Sequence, residues 1–268
     1  MDGENKVKIL FVFDHPHPEM WRDGLWRAMK ELEKDFSITY RNLQNPGVDV
    51  DNFDDYNFVL GWGGFNSPVD NIMMAVETKA KKGLCIGGNV FTFHPGYDVL
   101  FYETEAVRKF LQLKGNCVHA FGVNTEIYQV KQGEKLFDFL GVGSFSSWKR
   151  WEKMKERMGI RMVIGEYQWN NETESMSIIR DMMEGGVMVS PMQNPEDLCN
   201  IYNMARNVYI PASLIGGGER AVLEARACGC RVEVENDNFK LQELLAGPIY
   251  DHLYYADQLK KGIKSVCE

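Results

Sequence analysis

Two successive series of short apolar runs, each run followed by an amphipathic stretch, constrain the fold of this chain most strongly. The first series includes the apolar runs 7–13 and 58–60, and the second begins at 137–142. Continuous apolar strands are typical of a parallel sheet that helices cover on both faces. The intervening stretches have helical spacing of their apolar residues. The sequence therefore predicts an α/β fold.

The two series predict two Rossmann-like domains that face each other across a cleft. We place the N-terminal domain at 1–128 and the C-terminal domain at 129–248. At about 150 residues per domain, a length of 268 residues allows one or two domains. Ligands of such sheets bind beyond the carboxyl ends of the strands, so the turns after strands are the predicted place for chemistry.

Charge and cysteine content bear on several classes of protein. The formal net charge of −8 speaks against non-specific gripping of phosphate backbones. No apolar run approaches the ~20 residues of a membrane helix, and the acidic N-terminus passes straight into a strand-like run, so we expect neither membrane insertion nor a signal peptide. Six cysteines without a C-x-x-C pair predict free thiols in a reducing compartment, the cytoplasm, rather than a zinc site.

The turn after the run at 137–142 reads GSFSSWKR and leads into a predicted helix at 147–158. Backbone N–H groups at a helix start, together with a nearby cation, can hold a diphosphate. Lys149 and Arg150 would be those cations. They also begin a run of six cations within 149–161, for which the solvated face of a helix is the alternative interpretation.

A second turn, PASLIGGGER at 211–220, leads into a predicted helix at 219–228. Its three successive glycines allow a ligand to approach the backbone closely. Glu219 and Glu224 lie roughly 140° apart around that helix, so we expect one carboxylate to meet a ligand and the other to meet solvent. For Glu224, a surface or ion-paired carboxylate is an equal alternative. A third turn, SPMQNP at 190–195, fits an ordinary capped turn.

The segment 207–238, NVYIPASLIGGGERAVLEARACGCRVEVENDN, resembles the donor-site signature of GT-B glycosyltransferases, especially glycosyltransferase family 4. The shared pattern is a strand ending in Pro-Ala, a glycine-rich turn and a helix with L-E-A-x-A-C-G. The segments AFGVNTEIY at 120–128, LGVGSFSSWKR at 140–150 and NIYNMA at 200–205 resemble further family segments in the same order. The resemblance covers 118–240, and the compact size is similar to that of forms encoded by viruses.

The resemblance implies a nucleotide-sugar co-substrate, a UDP-sugar in our expectation, and no separate cofactor. We expect no metal, because fixed cations can stabilise the leaving diphosphate. It implies that the C-terminal domain binds this donor and the N-terminal domain the acceptor. A helix at 249–268 would pack back on the N-terminal domain. It further implies transfer with retention of configuration.

The resemblance also assigns individual residues. Lys149 falls where the family has the lysine that meets the diphosphate, and Glu224 falls where it has the glutamate that holds the ribose. Ser144 replaces the family's arginine, for which Arg150 is the expected substitute. Gly216 replaces its first glutamate, so either Glu219 substitutes by contacting the sugar or that contact is absent. The predicted donor-binding residues are Gly143, Ser144, Lys149, Arg150, Ser190, Met192, Gly216, Gly217, Gly218, Glu219, Arg220 and Glu224.

The predicted catalytic residues are Lys149, Glu219, His15 and His17. A leaving nucleoside diphosphate gains negative charge, which Lys149, Arg150 and the helix start near 216–220 would stabilise. The two histidines follow the first strand in DHPHP, where either could orient or deprotonate an acceptor hydroxyl. A histidine that only packs in its loop is the alternative.

The leading hypothesis is therefore a hexosyltransferase of the cytoplasm, or of the host cytoplasm if the form is viral. Its acceptor is either a glycan or lipid-linked saccharide, or a hydroxymethylated base in DNA. The departures at Ser144 and Gly216 keep open a catalytically inactive nucleotide-sugar-binding protein. A nucleotide-sugar epimerase of the same fold is a third, less favoured hypothesis.

Overall fold

The computed structural model describes residues 6–15, 24–45, 52–87, 95–168 and 171–268. The chain divides into two compact units. The first unit comprises Met1–Gly122 and Tyr250–Glu268, and the second unit comprises Val123–Ile249. Each unit has its own parallel sheet, so the predicted α/β class is confirmed.

The first unit has a six-stranded sheet in the order β2-β1-β3-β4-β5-β6, and all its strands are parallel. Strand β2 lies on one side of β1, and β3 with the later strands lies on the other side. The topological switch point is therefore at the carboxyl ends of β1 and β3. The strands are β1 (Lys8–Phe13), β2 (Ser37–Asn42), β3 (Phe58–Gly63), β4 (Lys81–Ile86), β5 (Val99–Tyr102) and β6 (Cys117–His119). The helices are α1 (Gly24–Leu32), α2 (Pro68–Ala75), α3 (Glu105–Phe110) and α8 (His252–Cys267).

The C-terminal helix α8 belongs to the first unit. It begins after Asp251, whose side chain accepts a hydrogen bond of 2.8 Å from the backbone N–H of Tyr254. Leu259 and Ile263 are fully buried, and α8 lies against α1 and the strands β4 to β6. A Cβ on Gly122 would overlap the carbonyl of Asp251, so glycine permits this close passage of the chain. Apolar burial thus joins the last segment of the chain to the first.

The second unit has a five-stranded parallel sheet in the order β11-β10-β7-β8-β9. Strands β7 and β10 are neighbours although two strands and two α-helices, besides short 3₁₀ helices, separate them in sequence, so the switch point lies between them. The turns after these two strands therefore meet at one edge. The strands are β7 (Phe137–Val142), β8 (Arg161–Gly165), β9 (Met188–Pro191), β10 (Ala205–Ile210) and β11 (Arg231–Val234). The α-helices are α4 (Glu172–Glu184), α5 (Pro195–Met204), α6 (Glu219–Ala227) and α7 (Phe239–Ala246).

The helix predicted at 147–158 is wrong. The structure has two short 3₁₀ helices, Ser147–Lys149 and Trp151–Glu156, separated by Arg150 in the left-handed region at φ 54°. The bulky ring of Trp151 is buried against Gly141 of β7, where a Cβ would overlap it. Tertiary packing at Trp151 and the backbone turn at Arg150 therefore override the helical spacing of the sequence.

The residues 69–82 have helical spacing, which predicts one helix over this range, but the helix in the structure is shorter. It ends at Ala75, and β4 begins at Lys81. Over the described ranges, no helix has both the length and the apolar character needed to span a membrane.

Candidate functional site

The turn after β7 folds Lys149 back over the end of the strand. Trp151 Nε1 donates a hydrogen bond of 2.9 Å to the carbonyl of Ser144, which fixes the far end of the turn. A Cβ on Gly143 would lie 2.9 Å from Lys149 Cε and 3.1 Å from its Nζ. Gly143, with φ 152°, therefore leaves the space that the lysine side chain occupies.

Lys149 is a buried cation at the switch point. Only 6% of the residue is exposed, and no described residue accepts a hydrogen bond from its ammonium group. Burial lowers the pKa of Lys149 to about 8, although the nearby Glu219 carboxylate acts in the opposite direction. Keeping an ammonium away from water without an acceptor is costly. The arrangement therefore favours the arrival of an anion.

The turn after β10 contacts the turn after β7 through the backbone. Ser213 N donates to the carbonyl of Trp148 at 2.8 Å, and Gly216 N donates to the carbonyl of Ser213 at 2.8 Å. A Cβ on Gly216 would overlap the Trp148 carbonyl. The fully buried Asn238 donates to the carbonyls of Ala212 and Ser213 at 3.0 and 2.9 Å. These bonds hold the two turns as one rigid edge.

Two left-handed glycines then bring the chain into α6. Gly217 has φ 66° and Gly218, the N-cap of α6, has φ 114°. The first N–H groups of a helix have no partner within the helix, and its dipole is positive at this end. The N-terminus of α6 thus adds backbone donors to the edge that carries Lys149.

Glu219, the first residue of α6, forms an ion pair with Lys240 of α7. Glu219 Oε1 lies 2.6 Å from Lys240 Nζ, and the two side chains are 5% and 3% exposed. Sequence reasoning missed Lys240. Its spacing in the sequence could have identified it, because Lys240 lies one turn before the buried Leu244 on the same face of α7. A cation on an apolar helix face is rarely buried without a carboxylate partner.

Glu224 is also buried and accepts a hydrogen bond of 3.0 Å from the hydroxyl of Tyr202 of α5. Burial and the Glu224 charge raise the pKa of Tyr202 well above its usual value, so the phenol keeps the proton that it donates. We expected one of Glu219 and Glu224 to face solvent, and this expectation is wrong. Both carboxylates are buried because each has a polar partner on a neighbouring helix. Glu224 has Tyr202 of α5, and Glu219 has Lys240 of α7.

The sequence predicts that Arg150 is a second cation for the diphosphate, but in the structure Arg150 is bonded within the protein. Its guanidinium donates to the carbonyls of Pro211 and Ala212 at 2.7 and 3.1 Å, and to both oxygens of Asp237 at 2.6 and 2.8 Å. The hydrogen bonds to Asp237 raise the pKa of Arg150 above its usual value. Arg150 therefore ties the turn after β7 to the turn after β10 and to the segment before α7.

Other members of the cation run are engaged in ion pairs within the unit. Their pairs are Lys153 with Glu235 at 2.6 Å, Lys155 with Asp181 at 2.7 Å, and Arg157 with Glu233 at 3.1 Å. The interpretation of this run as the solvated face of one helix is therefore wrong. Lys149 differs from its neighbours because its ammonium has no such carboxylate within bonding distance among the described residues.

Comparison with known proteins identifies the fold but not a sequence family. No protein-family model matches the sequence, and no curated protein sequence matches it. The structure of HepE from Anabaena, in complex with UDP-glucose, matches with a TM-score of 0.68 at 10% identity, over 97% of this chain and 100% of that one. AviGT4, a glycosyltransferase involved in avilamycin A biosynthesis, matches with a TM-score of 0.64 at 14% identity, over 97% and 98% of the chains. The chain has the GT-B fold.

A putative UDP-N-acetylglucosamine 2-epimerase from Listeria monocytogenes also resembles this chain in structure. That structure matches with a TM-score of 0.53 at 13% identity, over 97% of this chain and 96% of that one. The fold alone therefore does not distinguish transfer from epimerisation.

The remaining predicted donor-binding residues lie in the turn after β7, at the end of β9 and in α6. Ser190 is the second-last residue of β9, two strands away from β7 and thus about 10 Å across the sheet. Its hydroxyl accepts a hydrogen bond of 3.2 Å from Gln193. Met192 follows β9 directly. Ser144 is half-buried with its Oγ 3.3 Å from Ser146 Oγ, and Arg220 is exposed in the first turn of α6.

The first unit presents His15 at its own switch point. His15 N donates to Asn42 Oδ1 at 3.2 Å, and Asn42 Nδ2 donates back to the carbonyl of His15 at 2.7 Å. Asn42 ends β2 and is buried, so it fixes the backbone that follows β1. The second predicted histidine, His17, lies outside the described residues.

Within the described ranges, no three His, Cys, Asp or Glu side chains converge closely enough to hold a metal ion. The Asp-x-Asp triplet of the sequence, Asp49-Val50-Asp51, lies outside these ranges.

Proposed function

We propose that this protein is a glycosyltransferase that binds a UDP-sugar in its second unit and transfers the sugar to a hydroxyl acceptor. The observation that carries the proposal is the buried ammonium of Lys149 at the sheet's switch point, beside the N-terminus of α6. A diphosphate meets both requirements of this edge, since it accepts hydrogen bonds from the helix N–H groups and neutralises the lysine.

The rest of the nucleoside would extend along α6. Glu224 lies one and a half turns beyond the helix start and presents a carboxylate that Tyr202 orients. Vicinal ribose hydroxyls are donors that suit such an acceptor. The structural likeness to HepE, a protein solved with UDP-glucose, supports a uridine nucleotide at this place.

In the reaction, the bond between the sugar carbon and the diphosphate oxygen breaks while the acceptor oxygen forms a new bond to that carbon. The acceptor hydroxyl gives its proton to a base, the role predicted for His15. The diphosphate gains negative charge as it leaves. Lys149 and the N–H groups at the start of α6 are fixed before the reaction, so they stabilise this charge without reorganisation. A fixed cation and fixed backbone donors support a metal-independent mechanism, and the resemblance of the donor-site segment supports retention of configuration.

We assign the acceptor to the first unit, where His15 is held at the carboxyl end of β1. A saccharide is the acceptor class that we favour over DNA, because the net charge of −8 opposes binding to a phosphate backbone. The cysteines are all free, which supports a reducing compartment such as the cytoplasm.

The test is nucleotide release from UDP-, GDP- and ADP-sugars by wild type, Lys149→Ala and Glu224→Ala, with saccharides and hydroxymethylated DNA as acceptors. We expect release of UDP by wild type and a loss in both variants. Saturable binding without release would indicate an inactive binding protein. Interconversion of two UDP-sugars without an acceptor, followed by NMR, would indicate an epimerase.

A further inference from the structure

The buried ion pair of Glu219 and Lys240 stands next to the cation that we assign to the diphosphate. Glu219 is close enough to Lys149 for its charge to raise the pKa of that lysine, and the Lys240 charge lowers it. Glu219 and Lys240 themselves are 2.6 Å apart. Three buried charges of alternating sign thus share the start of α6.

This neighbourhood creates a problem for an anion site. A buried carboxylate beside a buried ammonium attracts it strongly, because the local dielectric is low. Were Glu219 unpaired, it would compete with any phosphate for Lys149. It would also repel the phosphate itself. Lys240, on the separate helix α7, offsets both effects, since its ammonium lies 2.6 Å from Glu219 Oε1.

We propose that Lys240 is a positioning residue that neutralises Glu219 and so keeps the Lys149 ammonium available for the donor diphosphate. This inference rests on the proposed function. It assigns Lys240 no contact with the donor. Removing Lys240 alone should therefore harm nucleotide binding, and removing Glu219 as well should restore it, since the net charge of the cluster then returns to its original value.

The experiment is calorimetric titration of UDP, GDP and ADP into the full chain at a pH below 8, where Lys149 is charged. The variants are Lys240→Met, Glu219→Gln, the double variant and Lys240→Arg. We expect Lys240→Met to weaken UDP binding about tenfold to a hundredfold, the effect of leaving one buried charge uncompensated beside an anion. The double variant and Lys240→Arg should bind within about threefold of wild type, and Glu219→Gln should bind more tightly.

The control is Lys155→Met, which removes a lysine of the same unit whose partner is Asp181, on α4. It should leave UDP binding unchanged. If the double variant binds as weakly as Lys240→Met, or if Lys240→Met binds like wild type, the proposal is wrong. If Lys240→Met does not fold, Glu219→Gln decides, because a failure to tighten UDP binding contradicts the proposal. A wild type that binds no nucleotide overturns the proposed function itself, an outcome distinct from failed rescue.

Discussion

At the scale of single residues, the burial of Lys149 determines how the free energy of unfolding changes with pH. Burial depresses its pKa from 10.5 to about 8 in the folded protein. Between these values the unfolded chain holds the proton that the folded chain has lost, so the free energy of unfolding rises with pH in this window. Below pH 8 the lysine is charged in both states, and the full penalty of burial is present.

We therefore predict that Lys149→Met raises the free energy of unfolding of the ligand-free protein and abolishes nucleotide binding. The difference between 10.5 and about 8 corresponds to about 3 kcal/mol at neutral pH. Denaturant unfolding of both proteins between pH 6 and 11 should show curves that converge as the wild-type lysine loses its proton. An unchanged or lowered stability of Lys149→Met would contradict the burial argument.

The same titration predicts how nucleotide binding depends on pH. Only the charged lysine neutralises a diphosphate, so UDP affinity should fall as the pH rises above 8. An ordinary lysine would maintain affinity to above pH 10. Titration of UDP at a series of pH values measures the midpoint, and a midpoint near 10 would show that the free site does not depress the pKa of Lys149.

Tyr202 gives a third prediction at this scale. Tyr202→Phe removes the donor of the 3.0 Å hydrogen bond to the buried Glu224 carboxylate. The variant should lose about 1.5–3 kcal/mol of stability, the range for hydrogen bonds to charged groups. It should also raise the KM for the donor, because the carboxylate is no longer oriented. Tyr40→Phe is the matched control, since Tyr40 donates to Glu33 at 2.7 Å in the first unit and should leave the donor KM unchanged.

At the scale of elements, the contact of two turns explains one departure from the family pattern. Gly216 stands where the resemblance expects a glutamate, and here any side chain would overlap the Trp148 carbonyl. We predict that Gly216→Ala costs about 1–3 kcal/mol, as overpacking does, and weakens UDP binding. Gly133→Ala is the control, because no atom lies within 4 Å of its added Cβ. Thermal unfolding and UDP titration of both variants test this, and equal behaviour of the two would contradict it.

The elements also show where sequence reasoning succeeds and where it stops. Apolar runs identify β1, β3 and β7 because burial on both faces leaves a local signal. The site edge depends on contacts that are distant in sequence. The pairing of Lys240 with Glu219 and of Arg150 with Asp237 spans 21 and 87 residues. Periodicity within one helix carries no information about the partner on another element.

At the scale of the whole molecule, the proposed donor residues all belong to the second unit, whereas the last helix belongs to the first. Damage to α8 should therefore separate folding of the first unit from nucleotide binding. Leu259 is fully buried, so Leu259→Ala should destabilise the first unit by about 2–5 kcal/mol through loss of contacts and the cavity left behind. Amide hydrogen exchange should show faster exchange in β4 to β6 and α1, while UDP still protects the turns after β7 and β10. Faster exchange spread equally over both units, or loss of the UDP-dependent protection, would show that the two units do not maintain their structure independently.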